Sequence, residues 1–371
     1  MAISLNKILL SFLSRRLGRS ATRLELLPRI KAYGDVLPEL SALEKRSIMS
    51  VWDPISNKLD FDYWRFYKAL MGECNPLLVP DNLYWSSIIR VLNPVSLTRT
   101  YINKSLYPII FRGVPQPQIL LNVINGTIYD CNMDRVSLED AAKILTGYDD
   151  EIVVKPTVAT SGGAGVKQVK PHLSFSEMKR ILSEYGQNYI CQKKVRQSKY
   201  TSIFNESSLN TFRVNTLNLN GKISCECLMM RHGTEGAIVD NFAMGGVACG
   251  MNNDGVFNGN NFNNEFKKRV YLQDGTPYSS HSIPGISTVI QLAIDSHQRF
   301  MPHIGHAAWD FAIDEDNNPL MIEVNLMLPG IILEQLSSGS SIFGDRIEEV
   351  ILYVSRRAWK LPWTEYVGGW Q

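Results

Sequence analysis

The spacing of apolar residues divides the chain into a helical first part and a mixed second part. Over residues 41–70 the apolar positions recur at helical spacing, which predicts helices that bury one face. This stretch ends in a cluster of aromatic residues, typical of a core, made of Phe61, Tyr63, Trp64, Phe66 and Tyr67. A further helical run follows Asp81, a residue that can cap a first turn. We therefore expect the first hundred residues to be mainly helical.

Beyond residue 109 the pattern changes to short apolar runs separated by turn-forming residues. These runs predict strands at 118–123, 126–129, 151–155, 189–195, 211–217, 223–231, 307–313 and 320–324. Helical spacing predicts helices at 136–145, 174–185 and 287–300. The Asn-rich stretch 251–264 has neither pattern and is predicted to be a long loop. Alternating strands and helices with antiparallel neighbours indicate an α+β fold with more than one sheet.

Composition and charge narrow the class of protein. The 371 residues are enough for two or three domains. The chain has 44% hydrophobic and 20% charged residues, typical of a globular protein and not of a disordered or fibrous one. Its net charge of +2 gives no reason to expect binding to a nucleic acid. Six cysteines without CxxC spacing predict reduced thiols, not a zinc site or a disulfide framework.

The N-terminal stretch 1–33 is the one region of strongly asymmetric charge, with seven basic residues and a single acid, Glu25. Such a stretch is typical of a helix that contacts an anionic membrane or a partner, but a solvated helix face is the commoner case. The chain has no run of about 18 to 20 apolar residues, so no transmembrane segment is predicted. We expect a cytoplasmic protein.

The first motif with chemical potential is Lys155 at the end of a predicted strand, followed by a glycine-rich loop over 160–166. Such a loop brings backbone N–H groups close to phosphate oxygens, while the lysine delivers a positive charge. The loop is neither a Walker motif nor a dinucleotide fingerprint. By itself it is equally well explained as a plain hairpin turn.

The second motif is a predicted hairpin that carries Asp310, Glu323 and Asn325. Glu323 and Asn325 are two residues apart and therefore face the same side of a sheet. If Asp310 faces that side too, two carboxylates and an amide oxygen converge, and such oxygen ligands suit Mg²⁺ or Mn²⁺. The alternative is a solvated hairpin, which the apolar neighbours of these residues disfavour.

Together these motifs resemble the ATP-grasp superfamily, in which a lysine and a glycine-rich loop cover the ATP phosphates. Three further segments match in order. Residues 190–195 resemble the hinge strand that contacts adenine, Arg213 lies in a motif that meets the γ-phosphate, and Lys104 resembles the first ATP-binding lysine. Over about residues 63–334 the chain most resembles the branch associated with sugar transfer and teichuronopeptide biosynthesis. The motifs behind that are 79–84, 92–93, 210–213, 240–242 and 245–246. Gln192 and Asn210 stand where an acid is common in relatives.

The resemblance implies two α+β lobes that clasp ATP, preceded by a helical region. The expected domains are 1–70 (helical), 71–149 (central) and 150–371, with a small lobe at about 150–200 and a large lobe at about 201–350. Two Mg²⁺ (or Mn²⁺) ions are expected on Asp310, Glu323 and Asn325. Arg213 and Lys155 are the expected catalytic residues. The expected ATP-binding residues are Lys104, Lys155, Ser161, Gly162, Gly163, Gly165, Gln192, Lys193, Lys194 and Val195.

The activity implied by the resemblance is ATP-dependent ligation of a carboxylate to an amine through an acyl phosphate. The substrate would be a sugar acid or an amino acid in the biosynthesis of a cell-surface polysaccharide. Two alternatives stay open: a kinase that phosphorylates a hydroxyl, and a non-catalytic nucleotide-binding module. Substrate binding is expected at Asn210, Arg231, His232, Asn241, Gly245 and Gly246.

Overall fold

The computed structural model describes residues 26–361, except for residues 32, 35, 158–164, 235, 238–239, 241–244, 328 and 359–360. The first part is helical, as the apolar spacing predicts. Helix α1 (Ala42–Trp52) begins with a capping box of Ser41 and Glu44, and α2 (Asp62–Met71) follows. Shorter helical segments lie at Asp81–Leu83, Tyr84–Ile88, Ile89–Leu92, Val95–Thr98, Arg99–Tyr101, Lys104–Leu106 and Tyr107–Ile110.

A five-stranded antiparallel sheet comes next along the chain. It contains β1 (Ile119–Ile124), β2 (Thr127–Asp130), β3 (Ile152–Pro156), β4 (Lys167–Val169) and β5 (Tyr189–Lys193), in the order β2-β1-β5-β3-β4. Helices α3 (Leu138–Thr146) and α4 (Phe175–Glu184) share one hydrophobic core with this sheet. Both helices begin at serine caps, as Ser and Asp or Glu at capping positions predict.

The second sheet has six antiparallel strands in the order β11-β10-β6-β7-β8-β9. The strands are β6 (Thr211–Leu219), β7 (Lys222–His232), β8 (Val247–Met251), β9 (Phe257–Phe262), β10 (His306–Ile313) and β11 (Pro319–Asn325). One face packs against α5 (Ile286–Phe300), and the other packs against α6 (Ile332–Ser338) and α7 (Ile347–Ser355). Short helices complete the described part at Lys199–Ser202, Tyr278–Ser280 and Gly344–Arg346.

The prediction of a long loop over 251–264 is wrong, because β9 lies within it. Its sequence, FNGNNF, has little β propensity. The phenylalanines at its two ends are both buried, Phe257 in the core on one face of the sheet and Phe262 in the core on the other face. Pairing with β8 and burial of these two rings outweigh the unfavourable local preference.

The sequence prediction placed β1 and β2 in a central region that ends at residue 149. In the structure β1 pairs with β5, so residues 119–130 share a sheet with residues 152–193. The helical region, residues 37–92, packs in one core with α6 and α7. The division into domains stays a prediction. Among the described helices, none has the length and hydropathy to cross a bilayer.

The buried amide of Asn93 helps to tie the helical region to the second sheet. The Asn93 side chain donates to the carbonyl oxygens of His306 (2.6 Å) and Leu326 (2.7 Å). It accepts from the N–H groups of Gly305 (3.2 Å) and His306 (2.8 Å). These bonds fix the start of β10 and the end of β11, the two strands that carry the predicted metal ligands.

This junction also requires close backbone approach, which gives a first prediction. A Cβ at Gly305 would lie 2.8 Å from the Cβ and 2.9 Å from the Cα of Leu92. We expect Gly305→Ala to lower the free energy of unfolding by about 1–3 kcal/mol, measured by chemical denaturation. Gly147→Ala is the matched control, because its Cβ would be no closer than 3.4 Å to Lys143 O. An equal effect of both substitutions would contradict this account.

Candidate active site

A cleft of about 660 Å³ has walls from both sheets. The first sheet and its flanking segments contribute Lys104, Val153, Lys155, Val166 and residues 192–197. The second sheet contributes Thr211, Arg213, Arg231, Asp310, Ile322, Glu323 and Asn325, and Asp240 and Gly330 line it from neighbouring segments. Lys155 and Asp310, which lie 155 residues apart in the sequence, therefore line one cleft.

A row of three charged residues crosses the second sheet. Glu323 of β11 pairs in register with Asp310 of β10, and Asp310 pairs with Arg213 of β6. Residues that are directly opposite on neighbouring strands point to the same face, so the three side chains are neighbours. Arg213 donates to both oxygens of Asp310, through Nε at 2.5 Å and Nη2 at 3.0 Å. This bidentate pair is buried, because Asp310 is 1% exposed and Arg213 is 7% exposed.

Glu334, the first acid of α6, completes the surroundings of Arg213. Arg213 Nη1 lies 3.1 Å from Glu334 Oε1. Burial raises the pKa of Glu334, while the charge of Arg213 acts in the opposite direction. Glu334 was not among the predicted site residues. The feature of the sequence that could have indicated it is an acid inside the largely apolar stretch 331–336.

Lys104 connects the two sheets. Its ammonium forms an ion pair with Glu323. The backbone N–H of Lys104 donates to the carbonyl oxygen of Thr157 at 3.2 Å. The side-chain amide of Asn122 on β1 donates to the carbonyl oxygen of Ser105, the residue after Lys104. Burial alone would raise the pKa of Glu323, but the nearby Lys104 ammonium and the hydrogen bond from Asn325 hold it well below its usual range.

Lys155 lies on β3 and lines the same cleft. The pKa of Lys155 is lowered to about 7. Burial is the largest cause, the positive charge of Lys104 acts in the same direction, and the negative charge of Glu323 opposes the shift. At neutral pH this amine is thus poised between its charged and neutral forms. An anion in the cleft would favour the charged form.

A second arginine lies beside the charged row. Arg231 Nη2 is 3.0 Å from Asp310 Oδ2, and its Nε is 3.6 Å from Asp240 Oδ2. The same guanidinium donates to Thr211 Oγ1, whose hydroxyl bonds Asp240. Burial raises the pKa of Asp240, and Arg231 opposes that rise. Asp240 appears in the sequence analysis only as part of a family motif.

The predicted hinge residues Gln192, Lys193, Lys194 and Val195 all line the cleft. Lys194 forms an ion pair with Glu151, and Gln192 donates to the carbonyl oxygen of Pro117 at 3.4 Å. The apolar side chains of Val153, Val166 and Ile322 line the cleft as well. The cleft therefore combines apolar lining residues with highly charged ones.

Two predicted substrate-binding residues lie elsewhere. His232 is buried, with its ring nitrogens 2.7 Å from Gly233 O and from Tyr278 Oη, and burial lowers its pKa to about 4. It follows Arg231 on a strand, and adjacent strand residues face opposite sides of the sheet. Asn210 is also buried, and its amide donates to the carbonyl oxygens of Thr201 and Asn205. Neither lines the cleft, and their role in substrate binding stays a prediction.

The remaining predicted residues lie in the glycine-rich loop or in the segment predicted to bind the acceptor. Ser161, Gly162, Gly163 and Asn241 lie outside the described residues. Gly165 has φ of +78°, and a Cβ there would lie 2.9 Å from Pro156 Cγ, so a glycine is required where the loop returns to β4. Gly245 and Gly246 directly precede β8 and are not among the lining residues.

The donor set Asp310, Glu323 and Asn325 fits a hard divalent cation. The Asn325 amide nitrogen lies 3.3 Å from Asp310 Oδ2 and 3.2 Å from Glu323 Oε1, so the three side chains are close enough to share one ligand. Rotation of that amide would present its oxygen in place of its nitrogen. No cluster of three His, Cys, Asp or Glu side chains suited to a metal occurs within the described ranges. Among the described residues, the Asn325 amide is thus the protein group available beside the two carboxylates.

Comparison with known proteins identifies the family. The model described as sugar-transfer associated ATP-grasp matches residues 85–350. No curated protein matches the chain. Among solved structures, similar ones include the biotin carboxylase domain of Hydrogenobacter thermophilus 2-oxoglutarate carboxylase (11% identity, TM-score 0.43, covering 72% of this chain and 48% of that one). Others are the ATP-grasp ligase PsnB (11%, 0.40, 71% and 61%) and the D-cycloserine synthetase DcsG (12%, 0.41, 85% and 95%). The chain thus spans about half of the carboxylase chain and about three fifths of PsnB.

The charges around Lys155 give a second prediction. Acetic anhydride acylates only the neutral amine, so labelling of Lys155 should rise with pH through a midpoint near 7. Peptide mass spectrometry measures the extent of labelling. Lys104→Met removes a neighbouring positive charge and should raise the midpoint, whereas Glu323→Gln removes a negative charge and should lower it. Lys143→Met on the exposed side of α3 is the control. Shifts of the same sign in the first two variants would contradict the assignment.

Proposed function

We propose that this chain, which belongs to the sugar-transfer associated ATP-grasp family, is an ATP- and Mg²⁺-dependent ligase that joins a carboxylate to an amine. The observation that carries the proposal is the meeting of Lys104, Lys155 and Arg213 with Asp310 and Glu323 in one cleft. Phosphoryl transfer depends chiefly on neutralising and aligning phosphate oxygens, and this set of charges supplies both functions.

In the proposed complex, the adenine lies against the apolar lining residues of the cleft. Val153, Val166 and Ile322 would contact its faces, and residues 192–195 would bond its edge. The polyphosphate would extend toward the second sheet, where Lys104 and Lys155 meet the phosphate oxygens. Lys155 would then take up a proton, because the phosphate charge favours its ammonium form. Residues 161–163 and 165 would cover the phosphates.

Arg213 is the residue we assign to the transferred γ-phosphoryl group. Its planar guanidinium can grip two oxygens at once, and it is already aligned by carboxylates. Asp310, Glu323 and Asn325 would hold two Mg²⁺ ions in our proposal. When bound, Mg²⁺ neutralises phosphate charge. Lys104 and Arg231 now neutralise the same carboxylates, so both side chains are free to turn to phosphate or substrate when those carboxylates take a metal.

The proposed reaction begins with attack of a substrate carboxylate on the γ-phosphorus, which releases ADP and forms an acyl phosphate. An amine then attacks the acyl carbon, and the C–O bond to phosphate breaks to give an amide and inorganic phosphate. We assign Arg231 to the substrate carboxylate, because it lines the cleft next to Arg213 through their shared partner Asp310. Gly245 and Gly246 are proposed to approach the acceptor. Our proposal for the substrate is a sugar acid or amino acid of polysaccharide biosynthesis.

The metal assignment leads to a third prediction. Glu323→Gln and Asp310→Asn preserve side-chain size but weaken Mg²⁺ binding, so each should lower Mg²⁺-dependent ADP formation at least about 100-fold. Glu226→Gln is the control, because this partly buried acid pairs with Arg346 and does not line the cleft. Circular dichroism checks folding, which matters for Asp310 because its replacement weakens the pairing of buried Arg213 and of partly buried Arg231. Near-normal turnover in both variants would refute the metal site.

The reaction type gives a fourth prediction. Uronic acids and amino acids, supplied in pairs with MgATP, should give ADP, phosphate and a product lighter than the two substrates combined by one water, detected by mass spectrometry. A stable phosphorylated product that forms without an amine would instead identify a kinase. Nucleotide binding without turnover under any pairing would favour the non-catalytic module.

A further inference from the structure

The Arg213 guanidinium is held by two carboxylates from different elements. Asp310 of β10 accepts from Nε and Nη2, and Glu334 of α6 accepts from Nη1. All three guanidinium nitrogens therefore have a carboxylate partner. Glu334 is 2% exposed and, unlike Asp310, does not line the cleft. Among the residues that the structure describes, Arg213 is the cleft-lining residue to which its carboxylate is hydrogen-bonded.

The residue after Glu334 anchors this carboxylate to the helical region. Gln335 is fully buried, and its amide nitrogen donates to Tyr67 Oη at 2.7 Å and to the Val79 carbonyl oxygen at 2.9 Å. Its amide oxygen accepts from the N–H groups of Val79 at 2.8 Å and Ile342 at 3.3 Å. Tyr67 Oη in turn donates to the Val79 carbonyl oxygen at 3.2 Å. Helix α2 and the segment before Asp81 are thereby bonded to α6.

We propose that Glu334 is a positioning residue for Arg213, and that the helical region holds Glu334 in place through Gln335. The inference rests on the proposed function, in which Arg213 meets the γ-phosphoryl group. Tyr67 and Val79 precede residue 85, where the family match begins. The helical region would thus take part in nucleotide recognition without touching the nucleotide.

The need for Glu334 follows from competition for Asp310. Asp310 is both the bidentate partner of Arg213 and a proposed metal ligand, and its two oxygens cannot serve both tasks fully. When Asp310 acts as a metal ligand, Arg213 retains Glu334 as its anchor. The buried charge-assisted bond at 3.1 Å then keeps the guanidinium at the same depth in the cleft. Loss of that anchor should weaken contact with a γ-phosphoryl group and leave contacts with a diphosphate unchanged.

The test compares two nucleotides by isothermal titration calorimetry on the full chain with Mg²⁺ present. AMP-PNP, a non-hydrolysable ATP analogue, carries a γ-phosphoryl group and ADP does not, so the ratio of their affinities reports on Arg213. Glu334→Gln keeps the side-chain shape but removes the charge, and should lower the affinity for AMP-PNP about tenfold while ADP binding changes less than about twofold. Tyr67→Phe removes one hydroxyl from the Gln335 bonds and should reduce the ratio about two- to threefold.

Tyr189→Phe is the matched control for Tyr67→Phe. Its hydroxyl also makes a buried bond, to the Leu182 carbonyl oxygen, but this bond lies in the core of the first sheet. A wild-type ratio in folded Glu334→Gln would overturn the positioning role. Equal ratios in Tyr67→Phe and Tyr189→Phe would overturn the link to the helical region. If the wild type bound neither nucleotide, the proposed function itself would be refuted.

Discussion

The buried pair of Arg213 and Asp310 is the interaction on which the rest of the site depends. Removing two charges from water costs several kcal/mol per ion unless each is well paired. Here the fork geometry satisfies both carboxylate oxygens, while Glu334 and Arg231 extend the pair to four alternating charges. The register of β6 with β10 places the first two opposite each other. The sheet therefore determines the electrostatics, and the charges in turn favour that one register.

The link between the two lobes is weaker and has a different character. It includes the ion pair of Lys104 with Glu323 and the backbone bond from Lys104 to Thr157. Both Lys104 and Glu323 remain partly accessible to the cleft, so a polyphosphate and a metal ion can compete for their charges. Separation of this pair on ligand binding would cost little, because each partner gains a new counter-ion. The near-zero net charge of the chain thus conceals a strongly polarised cleft.

The helical region is continuous with the second sheet through one apolar core. Its aromatic side chains pack with residues of α6 and α7, and two buried amides, Asn93 and Gln335, add directional bonds to that contact. An amide with all of its bonds satisfied tolerates little displacement, since a shifted amide leaves buried polar groups unpaired. Apolar packing supplies the stability of this junction, and the amides determine its geometry. That geometry then reaches the site through Asn93 to β10 and through Gln335 to Arg213.

Local features could be predicted from the order of residues: the helical first part, most strands, and the motifs that carry Lys155, Arg213, Asp310 and Glu323. Strand periodicity also implies that Arg231 and His232 face opposite sides, but the packing of the two sheets determines that Arg231 faces the cleft. Glu334 and β9 were missed because their states depend on segments far away in the chain. Periodicity and covalent spacing are local properties, whereas burial and pairing are decided by which elements pack together.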